Sequence, residues 1–155
     1  MDIAEAAAEA VLSAQSVTPL VAIYAKAGLA LLAAQKGDQS AAENQYTYLR
    51  RQRGTMIWTV SSVDRLLGLL PQTLGNLDHA TTHFEDVLVF CRKAGYRPDR
   101  AWTCSDYSDM LRERDAEGDR AKAITLLDDS LAISSELGMQ HLMERVLSRR
   151  EIPGA

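Results

Sequence analysis

Aromatic residues are scarce here: two tryptophans, five tyrosines and two phenylalanines make up 6% of the 155 residues. Prolines are few as well, four in all. Valine and isoleucine never alternate with polar residues over a strand length, so the half-buried strand pattern is missing. Alanine and leucine take their place. That composition favours helix throughout and predicts an all-α chain with no sheet. At this length the chain is one domain's worth and long enough to bury a core.

Cysteine is equally sparse. Cys91 and Cys104 have no metal-ligand spacing and no disulfide framework, and each falls on an expected helix, where a free thiol behaves as a small apolar residue. The longest apolar run, residues 27–34, is far too short to cross a bilayer. No lysine or arginine precedes Lys26, whereas Asp2, Glu5 and Glu9 are acidic, which is unlike a secretory signal. A cytoplasmic protein with no membrane partner is expected. Charge of one sign does not accumulate either. The net charge of −4 comes from interleaved acids and bases, with no basic stripe to suit nucleic acid. The densest basic cluster, Arg50-Arg51-Gln52-Arg53, has two readings, a basic patch or cations at a helix end that favour the dipole. The helix end is preferred.

What the chain does contain is an internal repeat. In the stretch from Ser61 to Gly95, Leu67-Gly68 is followed by Gly75, Ala80 and Phe84. Gly75 suits a turn with positive φ, Gly68 and Ala80 suit close helix crossings, and Phe84 suits the space between one hairpin and the next. Upstream, Leu29-Ala30, Gly37, Ala42 and Tyr46 repeat the pattern, with 38 residues separating Gly37 from Gly75, Ala42 from Ala80 and Tyr46 from Phe84. Downstream, Gly118, Ala123 and Leu127 lie 43 residues beyond their counterparts, and Tyr107-Ser108 takes the place of Leu67-Gly68. Of the five extra residues, two are assigned to the connection near Arg97-Pro98 and three to the turn Arg114–Gly118. The competing reading is an ordinary helical bundle without repeats.

In order, residues 2–15 are expected to form an alanine-rich helix, half of a repeat whose first helix is missing. Repeat 1 spans residues 19–54, opened by the Thr18-Pro19 helix start; repeat 2 spans residues 56–95; repeat 3 spans residues 98–138. Pro71 falls inside the first helix of repeat 2, where it kinks or shortens the helix at a cost of about 3 kcal/mol. A tolerated kink and a deliberate bend are the alternatives. Residues 139–150 form an amphipathic capping helix, with Leu142, Met143, Val146 and Leu147 inward and Glu144, Arg145, Arg149 and Arg150 on a polar outer face. A genuine C-terminal end is expected.

These residues resemble the tetratricopeptide repeat superfamily over about residues 19–138. The phrases HFEDVLVFCRKAGYRPDRAWTC and LLDDSLAISSELGM are similar to one branch, the C-terminal repeat region of large bacterial signalling regulators that carry LuxR-type DNA-binding or nucleotide-cyclase domains. The resemblance implies an α-α superhelix whose repeats sense a ligand or partner. Neither the phosphate-binding loop G-x-x-x-x-G-K-[ST] nor a basic recognition helix is present, so it also implies a fragment or a stand-alone relative without the effector.

In such a stack the first helices line the inner face. The register places Tyr24, Leu31 and Gln35, then Arg65, Leu69 and Gln72, then Trp102, Ser105, Asp109 and Arg112 inward. Aromatics at both ends, with arginines and amides between, suit a peptide or flexible protein segment. Packing is the competing account for Leu31, Leu69 and Trp102. The Lys/Asn clamp that grips a C-terminal carboxylate in some tetratricopeptide proteins is absent. His79 and His83 have a spacing that can chelate zinc, but no Glu stands between them in the H-E-x-x-H sense and no third ligand is evident, so a solvent-facing pair is expected. His141 is expected at the surface, and the pairs Glu85-Asp86 and Asp128-Asp129 read as surface charge. No cofactor and no enzyme are expected, because no serine stands in a nucleophile elbow and no cysteine has a base nearby. The leading expectation is a non-enzymatic interaction module. A small-molecule sensor with its ligand in the groove near Trp102 and Arg65 is the alternative. Self-association through the N-terminal half-repeat is compatible with both.

Overall fold

A computed structural model describes residues 3–57 and 61–151. Over these residues the chain is mostly helical: α1 (Ile3–Ser13), α2 (Pro19–Lys36), α3 (Gln39–Leu49) with a 3-10 turn at Arg50–Gln52, α4 (Val63–Thr73), α5 (Leu77–Ala94), α6 (Arg97–Arg114), α7 (Asp119–Leu137) and α8 (Gln140–Glu151). No described helix is long and apolar enough to cross a membrane. The chain divides into two compact units, Met1–His83 and Phe84–Ala155, and the division falls within α5.

In the first unit α1 packs on α2, α2 and α3 form a hairpin, and α4 lies against both. Alanine makes this possible. Ala27, Ala30 and Ala33 of α2 and Ala42 of α3 are buried, so the backbones approach closely, and Leu49, Leu66, Leu67 and Leu70 fill the remaining space. Thr18 caps α2 by accepting from the Val21 N–H at 3.4 Å, with Pro19 in the first turn, as the sequence predicts. The turns after α2 and α4 are built alike. Gly37 (φ 66°) lets the Asp38 N–H reach the Ala33 carbonyl at 2.9 Å, and the Asp38 carboxylate then accepts from the Ala41 N–H at 2.9 Å. Gly75 (φ 76°) lets the Asn76 N–H reach the Pro71 carbonyl at 2.9 Å, and the Asn76 side chain accepts from the His79 N–H at 3.2 Å. One construction serves both hairpins, a glycine in the left-handed region followed by a side-chain cap.

One expectation, the absence of any sheet, needs correction within repeat 2. The chain does contain a small sheet: β1 (Met56–Ile57) pairs antiparallel with β2 (Ser61–Ser62). Strands of two residues are too short to show a period of two. The first helix of this repeat starts at Val63. Ser62 caps it by accepting from the Arg65 N–H at 3.1 Å, and the Asp64 carboxylate ties down the preceding loop through the Gly54 N–H at 2.5 Å and Arg53 at 3.4 Å. Residues 58–60, within the stretch assigned to repeat 2, lie outside the described residues, as does Asp2. Pro71 is buried two residues before α4 ends at Thr73.

In the second unit α6 and α7 form a hairpin and α8 packs on α7. α6 is poor in apolar residues yet buried around most of its circumference. Small side chains explain this, and two of them satisfy their hydroxyls locally: Thr103 donates to the Asp99 carbonyl at 2.8 Å and Ser108 to the Ser105 carbonyl at 2.7 Å. Ser130 of α7 donates to the Ala101 carbonyl of α6 at 2.8 Å, which stitches the pair. Ala101, Leu127, Ile133, Leu142 and Val146 make the core there. The turn before α7 is longer than its two counterparts, as expected; Asp115 (φ 48°) and Gly118 (φ 84°) both adopt left-handed backbone in it. The two residues assigned to a connection near Arg97-Pro98 instead lie inside α6, which begins at Arg97.

Candidate functional site

The ten inward positions of the sequence register divide between the units. In the first, Tyr24, Leu31 and Leu69 are partly exposed and pack against the core, Gln35 is exposed and Gln72 partly exposed. Arg65 is buried, and its guanidinium donates to the Ser61 hydroxyl at 3.3 Å. In the second, Ser105 has no exposure, and its hydroxyl meets no hydrogen-bond partner among the described residues. The other three α6 positions are engaged by α8. Asp109 accepts from Arg145 at 3.0 Å and from Arg149 at 2.9 Å, Arg112 donates to the Arg149 carbonyl at 2.8 Å, and the Arg145 guanidinium lies 5.7 Å from the Trp102 ring centre. Arg145 also reaches the buried Asp106 at 2.9 Å.

This network corrects the reading of α8. Leu142 and Val146 are buried as expected, but Arg145 and Arg149 turn toward α6, and Leu147 is exposed. Asp106 and Asp109 are three apart on one helix and Arg145 and Arg149 four apart on another, so each pair occupies one face. That complementary spacing was the available signal.

A second polar cluster joins α5, α6 and α7. The Tyr107 hydroxyl donates to Glu85 at 2.7 Å, and Lys122 donates to the Tyr107 oxygen at 3.0 Å and to Glu85. Burial pushes the Glu85 carboxyl up, but its bonds to Lys122 and Tyr107 outweigh that and hold it below the usual range; burial pushes Tyr107 up. Glu85 is therefore more than surface charge. Asp128 and Asp129 do diverge, to Arg150 at 2.7 Å and to Arg100 at 2.8 Å.

The histidine pair also departs from expectation. His79 is exposed, but His83 is 7% exposed and faces inward. Both Nε2 atoms converge on the Tyr46 hydroxyl, His79 at 3.2 Å and His83 at 3.1 Å, and the imidazole centres lie 4.8 Å apart. Burial pushes the Tyr46 phenol up, against the lowering effect of Arg50 and Arg53. His141 is exposed, as expected. Cys91 and Cys104 are free and buried. Burial pushes the Cys104 thiol up to about 12, which leaves it protonated and weakly nucleophilic near neutral pH.

No family model, curated protein or solved structure matches this chain.

Proposed function

We propose that the hairpins are tetratricopeptide-like repeats stacked as a solenoid, and that the chain is a non-enzymatic scaffold for a peptide or flexible protein segment. The setting we assign it is a cytoplasmic bacterial signalling or transcription regulator. One observation carries the proposal: Ala42, Ala80 and Ala123, at corresponding places in three successive hairpins, are all buried to 1% exposure or less. A scaffold of repeated units gives each first helix a similar surface to present.

Tyr24, Gln35, Leu69 and Gln72 are among the positions with surface to offer in the first unit. They combine an aromatic ring, an aliphatic side chain and two amides able to pair with a peptide backbone. Arg65 and Ser105 are buried and are left out of this surface. Ile3, Val11, Leu20 and Val21 leave exposed apolar surface on α1 and α2, which favours self-association as a second reading.

Panning a random linear peptide library against the purified chain tests the proposal. The expected result is a family of related peptides whose affinity falls more than about tenfold, or about 1.4 kcal/mol, in Leu69→Ala or Gln72→Ala. An unenriched library, or peptides indifferent to both substitutions, rejects it.

A further inference from the structure

The cluster of Tyr46, His79 and His83 has donors that nothing in the peptide-binding proposal uses. His79 and His83 stand on successive turns of α5, so their rings share a face. Their Nε2 atoms do not merely lie close; both point at one oxygen, 3.2 and 3.1 Å away. A phenol has a single proton to donate. It satisfies at most one imidazole nitrogen, so at least one imidazole donates its own N–H to the phenol oxygen. Which atom donates in each contact depends on the tautomer of the ring.

We infer that this cluster is a binding site for one late first-row divalent cation, with Nε2 of His79, Nε2 of His83 and the Tyr46 oxygen as its protein ligands. Three convergent donors with an open fourth position match a tetrahedral ion such as Zn²⁺, and imidazole nitrogen also suits Ni²⁺ and Cu²⁺. Ligands about 2.0–2.1 Å from a tetrahedral ion stand roughly 3.3 Å from one another, close to the 3.2 and 3.1 Å between the Tyr46 oxygen and the two Nε2 atoms, so the rings have mainly to turn their Nε2 lone pairs from that oxygen toward a shared ion. His79, being exposed, has the freedom to do so and leaves the ion an approach from solvent. Binding needs both Nε2 atoms unprotonated, which tautomer changes within the rings supply, and the Tyr46 phenol releases its proton to solvent as its oxygen becomes the tyrosinate ligand. Burial, the largest effect, pushes the Tyr46 phenol up despite the lowering effect of Arg50 and Arg53, so the ion itself has to draw out the phenolate. Among the described residues no three His, Cys, Asp or Glu are grouped around an ion. The third donor here is a tyrosine, outside that set.

Calorimetric titration of the full chain with ZnCl₂, repeated with NiCl₂, tests the site. One ion per chain is expected, with affinity weakened well beyond about tenfold in both His79→Gln and His83→Gln, since even outer-shell changes weaken metal sites that much. Tyr46→Phe weakens it by a smaller factor and abolishes the tyrosinate absorbance difference that accompanies binding in the wild type. His141→Gln leaves binding unchanged. His79 is exposed, so His79→Gln keeps the fold and decides the matter even where His83→Gln does not. Absence of saturable uptake, uptake that survives His79→Gln, or uptake indifferent to Tyr46→Phe overturns the assignment.

Discussion

Phe84 has no exposed surface, and its ring stacks on Tyr107 of the following helix with centroids 5.3 Å apart. This is the role the register assigns to that position, an aromatic wedged between one hairpin and the next. Phe84→Ala therefore costs about 3–5 kcal/mol, read from urea midpoints at unchanged slope. Asp119 is a different kind of anchor. Arg114 at 2.7 Å, with help from the Ala116 N–H at 3.0 Å, holds its carboxyl below the usual range. A carboxyl depressed in the folded state stabilises fully above its unfolded value of about 3.9, and loses that stabilisation as pH falls through the folded value. The stability gap between wild type and Asp119→Asn should thus be constant above about pH 5 and shrink toward pH 2. A gap that stays constant to pH 2 contradicts the assignment. The packing residues were legible because small and aromatic side chains recur at fixed offsets. Tyr46 as partner of His83 was not, since the hydroxyl comes from 37 residues away and no local pattern encodes it.

Helix boundaries follow the local chemistry closely. Thr18-Pro19, Gly37-Asp38, Gly75-Asn76 and Gly138 start or stop helices where their backbone preferences say they should. Two glycines separate backbone strain from packing. A Cβ at Gly75 meets nothing within 4 Å, so Gly75→Ala is opposed only by its φ of 76° and costs about 1–2 kcal/mol. Gly28 is equally unobstructed but lies within α2, and Gly28→Ala stabilises by about 0.5–1 kcal/mol. Thermal unfolding of the two variants should move in opposite directions; a shared direction would refute the reading of the turn. Two elements escaped the sequence for identifiable reasons. The β1–β2 pair is too short to carry a period. In α8, charged residues were counted as solvent-facing, whereas Arg145 finds its carboxylates on α6, 39 and 36 residues earlier. Amphipathic counting recognises apolar burial, not ion pairs between elements.

At the scale of the molecule, each unit repeats one economy: small residues where helices cross, leucines or an aromatic beside them, and a glycine at the turn. The helical class was legible from composition, and the offsets of 38 and 43 residues are the sequence feature on which the repeat proposal is built. Candidate binding positions were less legible, because the same register that points a side chain inward does not say whether another helix covers it. Asp109 and Arg112 illustrate this, since both are engaged by α8. The proposal of a repeat scaffold rests on Ala42, Ala80 and Ala123 being equivalent. Urea unfolding of Ala42→Leu, Ala80→Leu and Ala123→Leu, with exposed Ala121→Leu as control, tests that equivalence directly. The account predicts losses of about 1–3 kcal/mol at all three buried sites and a change within about 0.5 kcal/mol at the control. A neutral result at any one of the three would contradict it.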